Sequence, residues 1–183
     1  MLILLAILAL LALLFISIYN KLVKLKLRRE NAFADIDVQL KQRHDLIPQL
    51  VNAVKGYMAH EQGVLTQITE ARTRAMQARG INEKIDAENK LSQSLSGLNV
   101  QLEAYPDLKA SANFLQLQAE IADLENKLAA VRRFFNSATR ELNTAIQVFP
   151  NNLIAGPMGF QMQPMFDVGE DRARLEQPPQ VSF

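Results

Sequence analysis

Residues 114–149 read FLQLQAEIADLENKLAAVRRFFNSATRELNTAIQVF. Apolar side chains recur at Phe114, Leu117, Ile121, Leu124, Leu128, Val131, Phe135, Ala138, Leu142, Ala145 and Phe149, in alternating steps of three and four. A seam of that spacing lies along one side of an α-helix and needs partner helices packed nearly parallel or antiparallel to it. The pattern predicts one helix over about 111–149, ending at Phe149-Pro150 because proline does not continue a helix.

Upstream, a second helix is predicted over about 83–104, with Ile85, Leu91, Leu95, Leu98, Leu102 and Tyr105 on its stripe and Tyr105-Pro106-Asp107 as its break. Gly80 followed by Asn82 reads as a helix stop and then a fresh N-cap. Between Lys21 and Arg79, residues Phe33, Ile36, Leu40, Ile47, Val51, Val54, Met58, Leu65 and Ile68 keep helical spacing, which predicts one long first helix. Pro48 is expected to bend it, since proline removes one backbone donor and crowds the carbonyl of His44.

Residues 1–18, MLILLAILALLALLFISI, carry no charge and one polar side chain, Ser17. As a helix they would measure about 27 Å, near the ~30 Å hydrocarbon thickness of a bilayer. A cleaved signal peptide is the rival reading, but no basic segment precedes the run, the run exceeds the usual length, and no A-x-A-like site follows. Tyr19, Lys21, Lys24, Lys26, Arg28 and Arg29 stand where aromatic and snorkelling cationic side chains collect at a membrane interface. Because the basic residues follow the span and none precedes it, the positive-inside rule places the N-terminus outside and the body in the cytoplasm; a periplasmic body is the alternative. The same cluster could hold anionic headgroups at roughly 1 kcal/mol per basic residue, although a topology signal alone explains it.

The fold class is therefore all-α: an N-terminal transmembrane helix continuing into a bundle of long helices packed nearly parallel or antiparallel, with an irregular C-terminal tail. The expected divisions are an anchor over 1–19, a bundle over 20–149 and a tail over 150–183. The tail is rich in Gly, Pro, Gln and Met and carries isolated apolar residues at Leu153, Ile154, Phe160 and Phe166. It reads as a strap lying along the bundle or onto a neighbour.

Composition removes several function classes. Five of the twenty basic residues fall before the first acid at Glu30, leaving fifteen against nineteen acidic residues, which is not the basic footprint of a nucleic-acid binder. Without cysteine there is no disulfide, thiolate nucleophile or sulfur-ligated metal. No P-loop, G-x-G-x-x-G, G-x-S-x-G or paired acidic site occurs, and no cofactor is expected. His60-Glu61 resembles the start of a zinc-protease helix, but the second histidine would fall at Val64. His44 lies sixteen residues back, about 160° around a straight helix, so no metal site is expected.

The polar residues of interest are few. Asp37, Lys41 and His44 share a helix face by their spacing. They form either a buried, proton-responsive ion network or a solvated stripe with one favourable pair. His44 falls near the core stripe between Leu40 and Ile47. Asn136 and Asn143 adjoin the seam positions Phe135 and Leu142, with Pro150 seven further on, and polar groups beside a seam fix its register. Arg133 runs along the same helix with Arg132 and Arg140, where Glu125 and Glu141 could neutralise them; an anion or partner site is the sharper alternative.

Three segments carry a family resemblance: ADIDVQLKQRHDLIPQLVNAVKGYMAHE at 34–61, YPDLKASANFLQLQAEIADLENKLAAVRRFFN at 105–136, and FPNNLIAG at 149–156 with the GF at 159–160. The chain resembles the LemA family of bacterial membrane proteins over essentially everything after the apolar span. The resemblance implies an elongated antiparallel helical bundle on one N-terminal transmembrane helix in the bacterial inner membrane, and no established enzymatic activity. Phe135 and Leu142 stand where the family leads one to expect tyrosines, and Met158-Gly159-Phe160 follows an extra proline at 157.

The functional expectation is a non-catalytic scaffold that self-associates at the bilayer as a homo-oligomer. An adaptor or sensor tethering a cytoplasmic signalling protein or protease is the alternative. An enzyme built on His44 and Asp37 is the weakest reading.

Overall fold

The computed structural model describes residues 1–58 and 61–166. The regular elements are helices: α1 (Leu2–Lys55), α2 (Gln62–Gln77), α3 (Ile81–Leu102), α4 (Pro106–Lys109), α5 (Ala112–Gln147) and α6 (Asn152–Ala155). The all-α fold class holds, with no strand among the described residues.

The first helix departs from expectation in two places. α1 continues through Pro48 and stops at Lys55, so the chain breaks at Gly56-Tyr57 rather than running on to 79. Glycine loses more conformational freedom in a helix than other residues. Breaking there lets Leu65 and Ile68 of α2 fold back into the core that holds Leu50, Val54 and Met58. The second departure is at Gly80, which has φ +79° and precedes α3 as its N-cap, while Asn82 lies inside the helix. Only glycine takes that conformation without steric cost. The Arg79 N–H donates to Glu83 Oε2 at 2.8 Å, an acid reaching back across the helix start.

The chain forms two compact units. One takes residues 1–35 and 134–165. Here the first part of α1 lies antiparallel to the last part of α5: Phe33 meets Phe135, Arg29 bonds Thr139, Arg28 pairs with Glu141, and Ile18 and Leu22 pack with Ala145. The strap after α6 belongs to this unit as well, and both faces of the Asn143 amide hold it. Asn143 Nδ2 donates to the Gln163 carbonyl at 2.9 Å, and the Gln163 N–H donates to Asn143 Oδ1 at 2.8 Å.

The other unit takes residues 36–133 with Phe166 and holds the later part of α1, then α2, α3, α4 and the earlier part of α5. α1 and α3 run in the same direction, as the contacts Asp37–Lys84 and Arg43–Ser92 require. α2 returns between them in sequence and packs on α3, and α5 brings Glu125 to Arg43. Ile47, Leu50, Val54, Met58, Leu65, Ile68, Leu91, Leu98, Leu102 and Phe114 form its core. Leu108, 1% exposed, seats α4 in this core beside α3.

The α5 seam thus finds its partners within the chain. Phe114, Leu117, Leu124, Leu128, Phe135, Ala138, Leu142 and Ala145 are buried. Phe149, expected as the last seam position, is 77% exposed, because α5 has already ended at Gln147. At the other end of the chain, Leu2 to Ser17 are exposed along α1 and burial begins at Ile18. Among the described residues, this is the one helix long and apolar enough to cross a membrane.

Candidate functional site

The stretch Arg43-His44-Asp45-Leu46-Ile47-Pro48 builds the most concentrated polar site. On the stripe Ile36, Leu40, Ile47, Leu50, the position between Leu40 and Ile47 is occupied by Arg43, 4% exposed. An arginine there requires charged and hydrogen-bonding partners, since burying an unpaired cation costs several kcal/mol. α3 supplies them. Glu88, 1% exposed, accepts from Arg43 Nη1 at 3.1 Å, and Ser92 Oγ accepts from Arg43 Nη2 at 2.9 Å. Glu125 of α5 approaches Arg43 Nε at 2.9 Å. His44 Nε2 donates to the other Glu88 oxygen at 2.6 Å. One carboxylate therefore holds two successive side chains of α1.

Pro48 explains the next contact. Proline has no N–H, so the His44 carbonyl one turn earlier loses its helical donor. Arg72 of α2 fills the place: its Nε–H donates to the His44 oxygen at 2.7 Å. This is why α1 passes through the proline unbroken. Replacing Arg72 by alanine should cost about 1 kcal/mol, the usual net worth of one hydrogen bond, since the His44 carbonyl is only partly buried. In a Pro48→Ala background the same change should cost much less, because the restored N–H serves the carbonyl. A double-mutant cycle read by denaturant unfolding in mild detergent checks it, and equal costs in both backgrounds would refute the coupling.

The expected trio does not come together. Asp37 pairs with Lys84 of α3, both carboxylate oxygens 2.8 Å from Nζ, while Lys41 is exposed. The Asp37–Lys84 pair is partly exposed, the two side chains at 42% and 31%, and pairs open to water contribute below about 1 kcal/mol. Glu125 and Glu141 form ion pairs with Arg43 and Arg28 of α1, and Glu125 also favours the charge of Arg132 on α5. On α5, Arg133 is exposed and Arg132 turns inward, its guanidinium 5.0 Å from the centre of the Phe166 ring. Burial pulls the Arg132 guanidinium below its usual value and Arg43 adds to this; Glu125 and Glu88 oppose both.

A second buried arginine organises the other unit. Arg29, expected at the membrane interface, is 4% exposed. Its guanidinium lies 4.8 Å from the centre of the Phe135 ring, its Nε donates to Thr139 Oγ1 at 3.2 Å, and its Nη2 donates to the Pro164 carbonyl at 3.2 Å. The α1 stripe accounts for this placement, since Arg29 stands one turn before Phe33 and two turns before Ile36 on the same face. Burial lowers its titration, opposed by Glu30. Lys21, Lys24, Lys26 and Arg28 remain exposed, and Tyr19 is 40% exposed with its ring edge-on to Phe160. Asn136 is buried beside Phe135, Asn143 clamps the strap, and Pro150 follows a cis peptide bond in the turn before α6.

Arg43, Glu88, Arg72 and Arg29 were not singled out from the sequence as network members, yet a signal existed. Glu88 occupies the gap between Ile85 and Leu91 on the α3 stripe, as Arg43 does on α1. A charge at a core position of one helix calls for an opposite charge at a core position of another. His60 lies outside the described residues. Among the described residues no three His, Asp or Glu side chains gather as a metal site requires.

An apolar span joined to a helical body, with Arg43 held by a carboxylate and Arg29 by a hydroxyl and a backbone carbonyl, defines a helical-bundle protein. The chain belongs to the LemA family, whose model matches residues 32–183. It is also similar to Protein LemA of Metamycoplasma hominis, 26% identical over 152 residues that cover 82% of this chain and 69% of that protein.

Proposed function

We propose that the chain is a membrane-anchored, non-catalytic protein that works as an oligomeric scaffold at the bacterial membrane, with its body in the cytoplasm. The observation that carries this reading is the exposed apolar run from Leu2 to Phe15, continuous with a helical body in which Arg43 and His44 share the buried carboxylate of Glu88. Water does not tolerate so long an apolar helix, whereas a bilayer does. The four exposed cations after it, Lys21, Lys24, Lys26 and Arg28, favour the cytoplasmic side. Confinement to a plane raises the local concentration of copies. Val38, Val100, Leu115 and Phe134, each at least half exposed, offer apolar contacts between bodies.

Light scattering of the full chain in mild detergent, beside a chain beginning at Ser17, tests the scaffold. The shorter chain keeps Ile18 and Leu22, which belong to the core. A large full-length species and a monomeric short one are expected. A monodisperse monomer in both cases overturns self-assembly, and one stoichiometric co-purifying protein would then transfer the reading to an adaptor.

A further inference from the structure

From Leu142 to Phe166 the chain reads LNTAIQVFPNNLIAGPMGFQMQPMF, without one charged side chain, in a protein that is 21% charged. The stretch lies beside the end of the apolar span. Ala145 and Ala155 pack with Ile18 and Leu22, and Phe160 meets Tyr19 with ring centres 6.0 Å apart. α5 runs toward the Met1 end of α1, passing Glu141 at Arg28 and then Ala145 at Leu22. α5 ends two residues beyond Ala145, at Gln147, so Val148 and Phe149 follow directly on the part of α5 that packs with Leu22 and Ile18.

The turn there has its polarity reversed. Asn151 is 5% exposed and donates from Nδ2 to the Ala145 carbonyl at 3.0 Å. Phe149 and Leu153 are 77% and 66% exposed, and Val148 is 43% exposed. A turn facing water keeps its asparagine outside and its phenylalanine inside. Exposed Asn152 beside them suits an interface, where apolar and polar groups mix, better than the hydrocarbon centre.

We infer that the α5–α6 turn with α6 is a second bilayer contact, a wedge that sets Val148, Phe149 and Leu153 among the headgroups and upper acyl chains beside the span. The inference rests on the membrane-anchored reading above. A single helix leaves the body free to tilt and rotate about it; a wedge on one side fixes both. Copies seated alike in a plane then present the same faces to one another.

The chain has no cysteine, so a single introduced one carries a unique label. Full-length Leu153→Cys, Leu10→Cys and Ser137→Cys are each labelled with an environment-sensitive fluorophore and reconstituted into phosphatidylcholine–phosphatidylglycerol vesicles containing quencher-tagged lipid. Ser137 is exposed on α5, about 15 Å back from its end. The expected result is loss of emission at Leu153 to lipid tagged near the headgroup, at Leu10 to lipid tagged deep in the chain, and at Ser137 to neither. A Leu153 label that behaves like Ser137 while Leu10 is quenched overturns the wedge and leaves the anchor standing. A Leu10 label untouched by either lipid, with Leu153 also untouched, overturns both. Blue-shifted but unquenched emission at Leu153 means that protein, such as a second copy, covers the turn, and this too overturns the wedge.

Discussion

Glu88→Ala lowers the unfolding free energy of the full chain by about 3–5 kcal/mol, the usual effect of removing one partner from a buried ion pair. Arg43 and Glu88 side chains are 5% and 1% exposed, so neither charge can turn to water when the other is lost. Glu125 stays within 2.9 Å of Arg43 Nε, but it is 37% exposed and addresses a different edge of the guanidinium. It moderates the loss and does not cancel it. His44 also loses the acceptor for its Nε2 proton. The double variant Arg43→Met/Glu88→Leu should recover most of the stability, because apolar groups of similar volume then meet where two charges were desolvated. Denaturant unfolding in mild detergent, followed by helical circular dichroism, measures each change. A loss under about 1 kcal/mol for Glu88→Ala, or no recovery in the double variant, would show that the carboxylate is not what stabilises Arg43.

Phe135→Ala should cost a similar amount, about 3–5 kcal/mol, for a different reason. The ring is fully buried, meets Phe33 at 5.5 Å between centres with the planes 66° apart, and lies under the Arg29 guanidinium. Truncation leaves a cavity and removes the aromatic face from a buried cation, an interaction worth about 0.5–2 kcal/mol by itself. Phe135→Leu refills much of the volume and loses mainly the ring–cation term, so it should be the milder change. Amide exchange along residues 134–147 is the direct readout, with protection falling most in the alanine variant. Equal protection in alanine and native chains would mean that Thr139 and the Pro164 carbonyl suffice to hold Arg29.

The two effects have different legibility in the sequence. Phe135 could be read as a core residue from the seam spacing, since position around a helix follows from 3.6 residues per turn and needs no knowledge of neighbours. Its partnership with Arg29 could not, because a basic residue just after an apolar span also fits a membrane interface. Pro48 shows the same division. Its loss of a donor to the His44 carbonyl was legible; that Arg72 would supply another donor, and so let α1 continue, depended on where α2 came to rest.

What the sequence determined by itself was local and periodic: the helical class, the α5 seam, the apolar run and the uncharged stretch before Asp167. Only the tertiary structure decided the break at Gly56, the pairing of Arg43 and His44 with Glu88, the burial of Arg29 and the exposure of Phe149. The reason is register. Spacing along one helix fixes which face a side chain occupies, but which residue stands opposite depends on the axial offset and rotation of another helix, set by the summed packing of many apolar contacts.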